Sequence, residues 1–245
     1  MIRRATEYDF ASEITCESEL RIHSLKQAYG LDVPFIQFFA DEDGSLASIM
    51  DGVCTLYCTD LPNEEWCIFL QMQPDISLIH TSGENGAYLA KRYNLPSETG
   101  IVMRYADVSS DKPLQTSMPD DASLQDIYSL LSSVFANFSR FDAWYVDTSH
   151  RMRHGCCHYA VERFNGAVSS IAMTVAEAKD CALIGCVATA PIYRGQGAAT
   201  RCISRLINIL TSNTIFIVPA DDYSASLYEK LGFVSCGMWS ELTLK

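Results

Sequence analysis

Hydrophobic positions change their period several times along this chain, and each change marks an element. In "DDASLQDIYSLLSSVFANF", acidic residues stand where a helix cap is wanted. Leu124, Ile127, Leu130, Leu131 and Val134 then follow at helical spacing. A second short helix is expected over residues 141–153. "HYAVERFNGAVSSIAMTV" is two strand-like runs around Asn165-Gly166, a strong short-range hairpin signal, and "CALIGCVAT" is a third strand. A helix from about Gly197 to Leu210 gathers Ala199, Cys202, Ile203, Leu206, Ile207 and Leu210 on one face, with Arg201 and Arg205 on the other. The apolar "TIFIV" reads as a short strand covered by helices on both faces. "DDYSASLYEKLGF" is a helix closed by Gly232, and "FVSCGMW" and "ELTL" are two final strands.

The first half gives a similar order. "CESELRIHSLKQAYG" is a helix stopped by Gly30, "FIQFFADEDGSLASIM" a hairpin and "VCTLYC" a strand. "NEEWCIFLQMQ" is a helix with Asn63 as N-cap; "ISLIHTS", "ENGAYLAKRYN" and "GIVMRYADV" follow as strand, helix and strand. Both halves thus run helix, hairpin, strand, helix, strand, helix, strand. The polar "SSDKPLQTSMPDD" between them reads as a linker, so the halves are expected at residues 1–115 and 116–245.

At 245 residues and 48% hydrophobic content the chain can bury a sizeable core, and no apolar run approaches a membrane span. "MIRRATEYDF" lacks the apolar core of a signal peptide, so a cytoplasmic protein is expected. The ten cysteines sit in apolar patterns, as small hydrophobes do. "HGCCH", His154 to His158, offers four potential zinc ligands, but adjacent Cys156 and Cys157 lack knuckle spacing and should alternate to opposite faces of a strand; no metal is expected. The net charge of −12 is uneven: residues 1–115 carry 18 acids against 8 bases. That excludes nucleic acid as a main partner and, if it does more than keep the protein soluble, favours a cationic substrate.

The chemistry concentrates in "PIYRGQGAATRCISRLINIL". A glycine-rich loop opening a helix suits phosphate, because the first amides of a helix are unpaired and its dipole favours an anion. A nucleotide P-loop would need a lysine that is absent here. A dinucleotide fingerprint would need a third glycine where Thr200 stands. Arg194-Gly195-Gln196-Gly197-Ala198-Ala199 does fit Gln/Arg-x-x-Gly-x-Gly/Ala, after a strand and before a helix. With "CVAT" ahead of it and "SASLYEKLGF" behind, the second half resembles the GNAT superfamily of acyl-CoA-dependent N-acyltransferases.

The resemblance implies an α/β fold of two GNAT-like halves, each a mixed, mostly antiparallel sheet flanked by helices. The first half would be a degenerate repeat without the cofactor loop, since "TDLPNEE" brings acids where glycines would sit. It implies acetyl-CoA as co-substrate, its pyrophosphate on the amides of Gly195, Gln196, Gly197, Ala198, Ala199 and Thr200 beside Arg194. Its pantetheine arm would lie along Val187, Ala188 and Thr189, with Val187 polarising the thioester carbonyl. Tyr228 takes the place of the proton donor to the leaving thiolate. Asp221 stands where relatives often have an arm-holding asparagine. The strand "CALIGCVAT" lacks the glutamate that many relatives use as base. Glu177 and Asp180 are nearest in sequence, Glu162 and His158 lie on the neighbouring strand, and a water chain is the alternative. The implied activity is N-acetylation of a primary amine on a small molecule or peptide, a cationic one being favoured. The rival reading is a non-catalytic domain that binds or senses acyl-CoA.

Overall fold

The computed structural model describes residues 1–106 and 122–244, which divide into two units: Met1–Met103 with Ser235–Lys245, and Arg104–Val234. The boundary expected at 115/116, the linker at residues 109–121 and the acidic caps Asp120 and Asp121 lie outside the described residues.

In the first unit a two-residue strand β1 (Arg3–Arg4) and a 3-10 turn (Glu7–Phe10) precede α1 (Glu17–Tyr29). The strands β2 (Ile36–Ala40), β3 (Leu46–Met50) and β4 (Val53–Tyr57) form the expected antiparallel meander. Helix α2 (Glu64–Gln71) then leads to β5 (Leu78–Ser82), parallel to β4, and on to α3 (Gly83–Tyr93). Asn63 and Ser82 accept from the amides of Trp66 and Asn85, so both helix starts are closed by their own side chains. Strand β6 (Ser97–Tyr105) follows. Trp66, Leu70, Leu89, Ile79 and Leu242 share one core cluster; Phe10, Ile22, Phe38 and Leu46 form another.

In the second unit α4 (Leu124–Val134) starts at Ser123, whose side chain accepts from the Asp126 amide, and α5 (Phe141–Arg153) spans the expected residues. Strands β7 (Tyr159–Phe164), β8 (Ala167–Ala178) and β9 (Cys181–Thr189) pair antiparallel in order. Asn165 and Gly166 both have positive φ, 51° and 84°, as a two-residue primed turn requires. Helix α6 (Ala198–Ile209), β10 (Thr214–Ile217) and α7 (Asp222–Lys230) complete the unit, with β10 parallel to β9. Helix α4 packs on β8 and β9, and α6 on β7, β8 and β9. The fold is therefore mixed α/β, a mostly antiparallel sheet flanked by helices, as expected.

The chain ends differently from the reading of two strands. Residues Phe233–Thr243 form one strand, β11, whose Trp239–Thr243 stretch pairs antiparallel with β5. The expected gap falls at Ser240, just before Glu241. In register, Ser240 faces Thr81 and is fully buried, while the half-buried Glu241 meets His80, so pairing carries the strand through both polar residues.

All ten cysteines are free thiols and seven of them are buried, consistent with small apolar side chains. Cys156 and Cys157 precede β7 instead of lying in it, and both are buried. Among the described residues there is no group of three or more His, Cys, Asp or Glu that could hold a metal ion. Nor is any described helix long and apolar enough to cross a membrane.

Candidate active site

Two local features of the second unit converge on one cleft. The first is the loop before α6. Gly195 and Gly197 take φ of 75° and 73°, the left-handed region where a Cβ is disfavoured. Gly197 is the N-cap of α6 and no side chain caps the helix there. The first-turn amides of Ala198, Ala199 and Thr200 therefore keep donors that the helix cannot satisfy internally. The loop is braced from outside: Arg194 Nε donates to the Thr189 carbonyl at 3.2 Å, and Arg201 Nη1 to the Gln196 carbonyl at 2.9 Å.

The second feature is the end of β9. Strand β10 accompanies it only from Cys181 to Ile184. Beyond that point β9 keeps its pairing to β8 but leaves β10. Between the pairs Met173↔Gly185 and Ile171↔Ala188 it carries one extra residue, a bulge with Cys186 at φ 46°. The step from Gly185 to Thr189 thus bends away from its parallel neighbour.

Between these features lies a cleft of about 520 Å³. Val187, Ala188 and Thr189 form one wall, and Arg194, Gly195, Gly197, Ala198, Ala199 and Thr200 the end where the helix begins. Asp221, Ser224, Leu227 and Tyr228 close the other side, with Val134 from the last turn of α4. Gln196 contributes its carbonyl to the Arg201 brace and is not part of the lining. Tyr228 is only 5% exposed, and burial, reinforced by the Asp221 charge, pushes its phenol up to about 12. At neutral pH the phenol therefore keeps its proton. Asp221 caps α7: its carboxylate accepts from the Ser224 amide at 2.8 Å and the Ser224 hydroxyl at 2.7 Å. Those bonds hold its carboxyl below the ordinary aspartate value.

The carboxylates considered as bases lie elsewhere. Glu177 pairs with Ala182 at the start of β9, roughly 15 Å along the strand from Val187 at the usual strand rise. It is 7% exposed and fully engaged: the His158 backbone amide donates to it at 3.0 Å, the His158 ring Nδ1 contacts it at 2.9 Å, and the Thr174 hydroxyl donates as well. Its bond raises the His158 pKa, and the pair ties the residue before β7 to β8, with neither side chain lining the cleft. Glu162 holds Arg205 at 2.8 Å and Arg201 at 3.5 Å, which ties α6 to β7 and occupies both arginines expected on the polar face. Asp180 sits exposed in the turn before β9. Sequence reasoning also passed over Val134, Leu227 and Ser224. Only Ser224 had a legible signal, standing three residues after Asp221 as a reciprocal cap does.

Residues 124–233 match the model of the acetyltransferase (GNAT) family. No curated protein sequence matches the chain. Among solved structures, the chain is similar to an acetyltransferase of the GNAT family from Colwellia psychrerythraea (12% identity, all of both chains, TM-score 0.57). A second is a tandem GNAT protein from the clavulanic acid biosynthesis pathway (11% identity, 92% of each chain, TM-score 0.59). A third is a GCN5-related N-acetyltransferase from Sphaerobacter thermophilus (14% identity, 99% of this chain and 94% of that one, TM-score 0.58). At such identities the likeness is one of fold.

Proposed function

We propose that the protein moves an acetyl group from acetyl-CoA to a primary amine, a reading that starts from the match of residues 124–233 to the acetyltransferase (GNAT) family model. The observation that carries the reading is the uncapped start of α6 beside the stretch of β9 that β10 leaves. An anion fits there because donors and dipole both point at it and no Cβ stands at residues 195 and 197.

In this reading the pyrophosphate of coenzyme A rests on the amides from Gly195 to Thr200, with Arg194 at the rim. The pantetheine arm runs along Val187, Ala188 and Thr189, across from Asp221. A backbone amide near Val187 donates to the thioester oxygen and stabilises the charge that grows on it. The amine nitrogen attacks the carbonyl carbon and the carbon–sulfur bond breaks. Tyr228 then gives its proton to the departing thiolate. The amine must be neutral to attack; its proton passes to solvent, and Tyr228 is reprotonated from solvent. Glu177, bound to His158 at the far end of β9, has no part in this scheme. The acidic first half favours a cationic acceptor such as a polyamine or a lysine-like side chain.

The experiment is thiol release from acetyl-CoA over a panel of amines, with calorimetry of coenzyme A binding beside it. Amine-dependent thiol release supports the reading. Tight binding without release for any amine would replace it with a sensing or sequestering role. No binding would remove the site assignment altogether.

A further inference from the structure

A group of charged side chains in the first unit lies apart from this cleft. Helix α1 packs on β3, β4 and β5, yet the face it buries carries Glu17, Ser18, Glu19, His23 and Ser24. Opposite it the strand registers place Ser48, Thr55, His80 and Glu241 in one row across β3, β4, β5 and β11. At the centre stands His80, 5% exposed. Its Nε2 lies 2.9 Å from a Glu17 oxygen and its Nδ1 3.1 Å from a Glu241 oxygen. Arg21 bonds the other Glu17 oxygen, and the Trp239 ring stacks on the imidazole at 6.1 Å and 14°.

A neutral imidazole has one N–H and one lone pair, while an ionised carboxylate only accepts. Both contacts can be hydrogen bonds together only when the ring carries two protons. The charges then balance: Glu17 and Glu241 against His80 and Arg21. A neutral ring would instead aim a lone pair at one buried carboxylate. We propose that His80 is a doubly bonded imidazolium latch, joining α1 and the terminal strand β11 to β5, and that it releases as pH rises. The groups that face it are Glu17 and Arg21 from α1 and Glu241 and Trp239 from β11; Thr55 of β4 is its neighbour in the row.

The direction of the titration agrees. Burial alone lowers the pKa of His80, but the bonds to Glu17 and Glu241 outweigh it and raise the value above that of a free histidine. Burial opposes ionisation of Glu17 as well, yet Arg21 and His80 hold its carboxyl well below the ordinary range. A raised folded-state pKa gives stability that is complete below about 6.5, the unfolded histidine value. That stability is lost as pH climbs through the folded value.

The test follows the imidazole proton resonances of His80 by NMR together with thermal unfolding of the full chain across pH 6–10. The latch predicts a titration above that of a free histidine. Between about 6.5 and the folded-state value His80 should lower the midpoint by about 3 °C per pH unit, and by nothing further above it. Glu17→Gln is the discriminating variant. Its amide oxygen still accepts from Arg21, while its NH₂ donates to a neutral His80, so both contacts survive without the second ring proton. The variant should unfold with a shallower slope in that window, the remainder being that of His158 and the buried thiols, and with a lowered His80 pKa. A His80 that titrates near 6.5 in the wild type, or an alkaline slope unchanged in Glu17→Gln, overturns the latch. Should Glu17→Gln fail to fold, Glu241→Gln makes the same exchange at Nδ1, from a site only half buried, and is held to the same two outcomes.

Discussion

The two halves enter their main helices in opposite ways. Helix α2 begins at Asn63, whose side chain accepts the Trp66 amide at 3.0 Å, and Glu64 and Glu65 fill the first turn. Helix α6 begins at Gly197, with no capping side chain and no acid in its first turn. The adjoining strands differ in the same sense. Where β4 runs past its pairing with β5, the Thr81 hydroxyl donates to the Leu56 carbonyl at 2.8 Å, with both residues fully buried. Where β9 runs past β10, the strand bulges and borders a cleft. One element order can thus carry either a closed seam or an open one. The difference rests on a few residues that answer the backbone's unpaired groups from within or leave them open to the cleft.

The sharpest way to break this comparison is to close the open seam. Gly197→Leu should lower coenzyme A affinity by at least about 100-fold in calorimetry. A side chain there blocks the approach to the amides and is strained at φ 73°. Circular dichroism should report an intact fold, since the residue is an exposed loop position. Undiminished affinity would remove the phosphate assignment.

Next in size is Tyr228→Phe, which should slow the chemical step on the order of 10²-fold, the scale of losing a general acid. Coenzyme A affinity should hold, because the ring and its packing against Phe233 remain. With the phenol pushed up to about 12, Tyr228 should give no alkaline limb near neutrality. The rise in rate with pH should instead follow the acceptor amine. Full turnover in the variant would reduce Tyr228 to a packed aromatic.

The closed seam can be opened in turn. Thr81→Val keeps the shape but leaves the buried Leu56 carbonyl without its donor, a loss of about 1–3 kcal/mol in urea unfolding. Asn63→Ala removes the cap of α2 and should cost about 1 kcal/mol. Neither should change coenzyme A affinity. A change in either variant would mean that the first half takes part in binding.

The features legible along the chain were local ones. Helix spans, the Asn165-Gly166 hairpin, the cap at Asn63 and the glycine loop depend on side chains within a few residues of the backbone they act on. A linear reading can see them. Nearly all the cleft-lining positions it proposed on the loop, β9 and α7 do meet in one cleft, because loop, strand and helix follow one another in the chain. Tertiary structure decided the rest. Glu177 was near in sequence to the cleft strand, but the register of β8 on β9 carried it to the far end and into a pair with His158. Ser240 reads as the gap between two strands, yet pairing with β5 buries it and matches its neighbour Glu241 to His80, 161 residues away in sequence. Register and burial depend on partners distant in sequence, and a carboxylate's role depends on which charge it meets there. Local sequence carries neither.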